Sequence, residues 1–134
     1  MTVLVGYVPK PEGIAALHAA LEQARWRGED VYVVNGSRGE ALVDRSFASP
    51  EDLEVVRRTL QDSGVPFQIE QHVAGKGGAE DVLELAERLN PSVIVIGIRH
   101  RTATGKMITG SDAQRILLNA DCPVLSVKAA PGQV

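Results

Sequence analysis

The sequence predicts an α/β domain built on a parallel sheet with helices on both faces, and three observations carry that prediction. Short apolar runs rich in β-branched residues recur along the chain, as in "VLVGYV", "DVYVV", "SVIVIG" and "CPVLSV"; unbroken runs of this kind are what strands buried on both faces look like. Between them lie segments whose apolar residues repeat at helical spacing. Cap and turn residues separate the two kinds of segment, and strands alternating with helices imply parallel pairing, because parallel strands need crossover connections. The 134 residues fit a single domain over 1–134 with a core large enough to need no disulfide or metal.

In chain order, "VLVGYV" is the first strand, stopped by Pro9 and Pro11. From Gly13, the spacing of Ile14, Leu17, Leu21 and Ala24 predicts an amphipathic helix through about Trp26. "DVYVV" is the second strand, closed by the turn dipeptide Asn35-Gly36. "SRGEALVDRSFA" has no period and reads as a loop. A second helix starts with Ser49 as N-cap, Pro50 at the first helical position and Asp52 completing a weak capping box; Leu53, Val56 and Leu60 form its inward stripe, and Ser63-Gly64 ends it. "FQIEQHVA" is the third strand. Glycines 75, 77 and 78 lead into a third helix with Val82, Leu85, Ala86 and Leu89 inward, terminated by Asn90-Pro91. "SVIVIG" reads as the most buried strand, since nothing polar interrupts its β-branched centre. Ser111 and Gln114 form the capping box of the last helix, with Ile116, Leu117 and Ala120 inward, and "CPVLSV" is the final strand.

Composition excludes several function classes. A net charge of −3 with one Trp, two Tyr and two Phe argues against a general nucleic-acid surface, which needs a basic field and stacking rings. No apolar run approaches the roughly 18 residues of a membrane span, and "MTVLVGYVPK" lacks the plan of a signal peptide, so a cytoplasmic setting is expected. Cys122 is the single cysteine and reads as a small apolar residue before a strand. His18, His72 and His100 are scattered, so no metal site is expected. Asn35-Gly36-Ser37 matches a glycosylation acceptor, which has no chemical meaning without an export signal.

One stretch concentrates the chemistry. After Gly97 at a strand end, "GIRHRTATGKMITGS" holds Arg99, His100, Arg101 and Lys106 with no acid before Asp112, although the whole chain is acidic. Ligands of such sheets sit outside the carboxyl ends of the strands, and a helix N-terminus favours an anion. Gly105 and Gly110 would let backbone approach a phosphate, with Lys106 the preferred cation. A Walker loop is ruled out, because His100 stands where its first glycine belongs and Met107 replaces its hydroxyl residue. The dinucleotide fingerprint, the G-x-S-x-G elbow and the H-E-x-x-H pair are missing, and no catalytic residue is identified. Two readings stay open for Tyr7, which either packs under a flat base or fills the sheet.

From "VLVGYV" to "CPVLSVK" the chain resembles the universal stress protein family. The family's nucleotide motif, G-x2-G-x9-G-[ST], is matched by Gly97, Gly110 and Ser111, with His100 in the place of the second glycine. The resemblance implies a Rossmann-like, adenine nucleotide alpha hydrolase-like sheet of five parallel strands in the order 3-2-1-4-5, holding ATP or another adenine nucleotide between the ends of strands one and four. Carried over by position, Gly97, His100, Gly110, Ser111 and Asp112 surround phosphates and ribose, Ile96 and Ile98 border them, and Val34 lies beside the adenine. "GYVPKPEG" departs from the "GYDGSPE" of many relatives: Val8 removes an acid that helps fix base and ribose, Pro9 removes an N–H, and Lys10 adds a cation. The resemblance further implies a homodimer through the last strand and a nucleotide-binding stress-response module. A dimeric scaffold without nucleotide and a slow ATP hydrolase are the alternatives.

Overall fold

A computed structural model of the chain describes residues 1–36, 47–72, 77–98 and 111–129, the side chain of Ser111 excepted. Five strands, β1 (Thr2–Gly6), β2 (Asp30–Gly36), β3 (Phe67–His72), β4 (Val93–Ile98) and β5 (Val124–Lys128), alternate with four helices, α1 (Pro11–Arg27), α2 (Pro50–Ser63), α3 (Gly78–Leu89) and α4 (Ser111–Asn119). All four strand pairings are parallel, in the order β3-β2-β1-β4-β5. This is the architecture that the residue pattern predicts, in the strand order that the resemblance implies.

Strand alternation sorts the core into two layers. Val3, Val5, Val31, Val33, Val93 and Val95 point to the face covered by α1 and α2, where Ala16, Leu17, Ala20, Val56 and Leu60 meet them. Leu4, Val34, Ile94 and Ile96 point to the other face, under Ala79, Val82 and Leu85 of α3 and Ala113 and Ile116 of α4. Each Val, Leu or Ile withdrawn from water in this way contributes about 1.5–3 kcal/mol, so both faces of the sheet are held by burial. Half-buried Cys122 packs at the margin of the second layer, and burial pushes its thiol up from the ordinary value.

The helix boundaries follow local chemistry. Ser49 Oγ accepts the Asp52 N–H at 3.1 Å while Asp52 Oδ2 accepts the Ser49 N–H at 3.0 Å, so the weak capping-box signal marks a complete box. Gly28 and Gly64 close α1 and α2 with φ of 66° and 76°, and Asn90 closes α3 at φ 49°; this left-handed conformation suits glycine and is tolerated by asparagine. Pro11 does more than end a strand: it occupies the first turn of α1, where its missing N–H costs nothing, so the helix begins before Gly13.

Three expectations need correction. Asn35 and Gly36 do not turn the chain; they are the last residues of β2 and pair with Gln71 and His72 of β3. Asn35 reaches side-chain and backbone partners there that outweigh its preference for turns. Ile14 and Leu117 are each 46% exposed, because α1 buries Gly13, Ala16 and Ala20 and the nine-residue α4 buries only a narrow stripe through Ala113 and Ile116. The expected loop from Ser37 to Ala48 lies mostly outside the described residues. Among the described residues no helix is long and apolar enough to cross a membrane.

Candidate functional site

From β1 the chain moves to β2 on one side, while β4 lies on the other, so the carboxyl ends of β1 and β4 form the point where strand order reverses. Val34, Gly6 and Ile96 lie side by side there in register across three strands. On the α3 face the row reads apolar, empty, apolar. A Cβ added at Gly6 would lie 3.2 Å from Val82 and 3.7 Å from Ile96, which shows how closely α3 approaches the floor. Ile98 continues the apolar wall one step outward along β4 on the same face.

The rim is set by close backbone approaches. The Lys10 N–H donates to Val8 O at 2.8 Å, a three-residue turn centred on Pro9, whose fixed φ suits that geometry. A Cβ at Gly13 would lie 1.9 Å from Val8 O, and one at Gly97 would lie 2.2 Å from Glu12 O. Gly13 and Gly97 are therefore the contacts that let the first turn of α1 close against β1 and β4. Across the crevice, the Asp112 carboxyl at the start of α4 lies 3.1 Å from where a Cβ on Gly78 would stand. The N-terminal turns of α3 and α4 thus converge, bringing together the positive ends of two helix dipoles with an acidic side chain between them.

Asn35 holds this end of the sheet together. Its fully buried side chain donates from Nδ2 to Tyr7 O at 2.8 Å, and its Oδ1 accepts the Ala48 N–H at 3.1 Å and Gln71 Nε2 at 2.9 Å. Gln71 Nε2 also donates to Ala48 O at 2.8 Å. One amide thereby ties the ends of β1, β2 and β3 to the lead-in of α2. Tyr7 donates its own N–H to Val34 O at 2.9 Å.

Of the residues singled out in the sequence, Val8, Pro9, Val34, Ile96, Gly97, Ile98 and Asp112 come to this one end of the sheet. The ring of Tyr7 does not join Val34 and Ile96; it is 4% exposed in the opposite core layer, where burial, and then the charge of Asp52, push its hydroxyl above the ordinary range. His100, Gly105, Lys106, Gly110 and the Ser111 side chain, like Arg99 and Arg101, lie outside the described residues. Sequence reasoning passed over Asn35 and Gly6. Asn35 continues the inward phase of Val31 and Val33, a polar residue in a buried register that was its available signal. Among the described residues no group of His, Cys, Asp and Glu is arranged to hold a metal ion.

An apolar wall, a glycine notch, closely packed backbone and two convergent helix N-termini define a doubly wound α/β domain with its crevice at the switch point of the sheet. The chain belongs to the universal stress protein family, whose model matches residues 1–128. It is 43% identical over 126 residues to a universal stress protein of Mycolicibacterium smegmatis, covering 94% of this chain and 96% of the relative. A solved universal stress protein of Archaeoglobus fulgidus superposes with a TM-score of 0.71 at 30% identity, covering 95% of this chain and 97% of that one. The structure of the universal stress protein from Archaeoglobus fulgidus in complex with dAMP superposes with a TM-score of 0.68 at 26% identity, over 95% of this chain and 96% of that one.

Proposed function

We propose that this chain is a nucleotide-responsive module of the stress response that binds an adenine nucleotide, ATP or its monophosphate, in the crevice between β1 and β4. The observation that carries the reading is the dAMP held by the Archaeoglobus protein, which shares this fold over 95% of the present chain. In this reading the base lies against Val34, Ile96 and Ile98, an apolar wall that suits a flat ring. Val8 and Pro9 border the sugar. The phosphates sit over Gly97 and the segment through His100, Gly105, Lys106, Gly110 and Ser111, at the start of α4. Asp112 faces the ribose hydroxyls, because an acidic group and a phosphate repel. The ring of Tyr7 supports the floor from behind, and no residue is assigned a catalytic role.

The same reading includes a cytoplasmic setting and a homodimer through β5. That strand is an edge, its residues Val124 to Val127 are only half buried, and α4 carries Leu117 and Leu118 at 46% and 83% exposure. An edge strand of this kind invites pairing with a second copy. These exposed leucines also favour the second reading, a dimeric scaffold of the same fold that works without nucleotide.

Calorimetric titration with dAMP, AMP and ATP separates the two. The nucleotide reading expects saturable binding at one site per chain, weakened about tenfold or more by Ile98→Glu, which sets a negative charge at the outer end of the wall. No heat with any of the three, together with no adenine compound released from freshly purified protein, would leave the scaffold. A chain mass by light scattering that stays monomeric at high concentration would remove the dimer. Steady phosphate release from ATP that falls in parallel with nucleotide binding in Ile98→Glu would restore the hydrolase.

A further inference from the structure

A second cluster of ionisable side chains stands at the β3 edge of the sheet, beside the crevice wall. Glu70 and His72 lie on β3, in register with Val34 and Gly36 of β2, and project to the α3 face. The first turn of α3 brings Asp81 against them, 2% exposed. Gly36 makes this possible, since a Cβ there would lie 2.4 Å from Asp81 Oδ2. His72 bridges the two acids: its Nε2 contacts Glu70 Oε2 and its Nδ1 lies 3.2 Å from Asp81 Oδ1. Glu70 is held in turn by the Tyr32 hydroxyl, which donates to Oε1 at 2.6 Å, and by Arg88 of α3 at 3.2 Å. Among the described residues, buried Asp81 Oδ2 has no hydrogen-bond partner.

Both ring nitrogens of His72 therefore face carboxyl oxygens. A neutral imidazole carries one N–H and one lone pair, so it satisfies one acid and sets a lone pair against the other; only the doubly protonated ring donates to both. Losing that second proton strands more of Asp81, whose buried Oδ2 already lacks a partner among the described residues, and an unsatisfied buried polar group is strongly unfavourable. Asp81 also begins the hydrogen bonding of α3, its N–H donating to Gly77 O at 2.9 Å.

We propose that His72 is a protonation-operated clasp that fastens the end of edge strand β3 to the first turn of helix α3, closed when the ring is charged and loosened when it is neutral. Among the described residues the groups facing it are Glu70 from its own strand and Asp81 from α3, with Tyr32 of β2 and Arg88 of α3 acting through Glu70. The direction of the response follows. The hydrogen bond to Glu70, with the bond and charge of Asp81 behind it, holds the ring's pKa above the ordinary value of 6.5 against the opposing effect of burial. A group whose pKa is raised on folding contributes its stability fully below its unfolded value and loses it as pH rises through the folded value. The clasp therefore weakens as pH climbs above about 6.5. Nothing in this device depends on a bound nucleotide.

The test uses the full chain, isotope-labelled, without ligand. The imidazole signals are followed by NMR from pH 5 to 9, those of His72 being the set that vanishes in His72→Gln. His72 is expected to titrate above 6.5, and Asp81→Asn to lower its midpoint. Protection of the Asp81 and Val82 amides, corrected for intrinsic exchange, is expected to fall across the same range in the wild type and to lose that dependence in His72→Gln. Where Asp81→Asn does not fold, Glu70→Gln supplies the same comparison from the more open side of the ring. A His72 midpoint at or below 6.5, or amide protection in α3 that ignores pH in the wild type, would overturn the proposal.

Discussion

Removing the Asn35 side chain reveals how firmly the crevice end of the sheet is held. Asn35→Ala deletes the bonds to Tyr7 O at 2.8 Å, from the Ala48 N–H at 3.1 Å and from Gln71 Nε2 at 2.9 Å. Gln71 keeps Ala48 O at 2.8 Å, so among the described residues the groups left stranded are the Tyr7 carbonyl and the Ala48 N–H, in residues that are 4% and 0% exposed. A buried group left unpaired costs about 1–3 kcal/mol, so two of them give a loss of roughly 2–6 kcal/mol, the lower end applying if a water enters the vacated space. Against a total stability of about 5–15 kcal/mol for a domain, that loss moves a urea midpoint visibly at unchanged slope. The assay is urea unfolding by circular dichroism of the wild type, Asn35→Ala, Gln71→Ala and the double variant, with exchange of the Ala48 amide as the local probe. Because the two side chains share partners, their effects should fail to add by at least about 0.5 kcal/mol. A loss under about 0.5 kcal/mol for Asn35→Ala, with Ala48 still protected, would refute the reasoning that this amide is the tie between β1, β2 and β3.

Other substitutions test separate joints. Ser49→Ala removes half of the capping box at α2 and should lower stability by about 1 kcal/mol in the same urea assay. Gly97→Ala sets a methyl 2.2 Å from the Glu12 carbonyl, which cannot swing away as a side chain would; a thermal melt should show roughly 1–3 kcal/mol of destabilisation, or more. On the acid side, the Tyr32 hydroxyl, followed by His72 and Arg88, holds the Glu70 carboxyl below its ordinary 4.5, so its contribution is present above that value and fades as pH falls through the lowered one. Stability measured between pH 3 and 6 should therefore drop less steeply in Glu70→Gln than in the wild type.

Much of this molecule is legible in its sequence because burial and capping act locally. Four β-branched residues in a row at Val93–Ile96 leave little choice but a central strand, and Ser49-Pro50 with Asp52 marks a helix start that the structure reproduces atom by atom. What stayed hidden depends on tertiary approach. Asn35-Gly36 has turn chemistry, yet the asparagine finds three partners from distant segments and the glycine makes room for Asp81, so the pair extends a strand. Tyr7 is adjacent to the crevice residues in sequence, but strand alternation sends its ring to the other face. Gly97 matches a nucleotide motif, and the structure adds a second demand on it, the carbonyl of Glu12. The His72 bridge joins residues 70, 72 and 81 across a strand and a helix, a meeting that no spacing rule announces. Asp81 stands one helical turn before Leu85 on the inward stripe of α3, and that acid in an apolar phase was its one visible sign.

The central claim, an adenine nucleotide in the crevice between β1 and β4, is tested most directly by following backbone amide signals while dAMP is added to the labelled chain. The account predicts saturable shifts clustered at Gly6 to Val8, Val34, Gly78, Ile96 to Ile98 and Asp112. Signals that stay fixed at those residues through millimolar dAMP and AMP, or shifts confined to the far end of the sheet around Ser92 and Cys122, would contradict it.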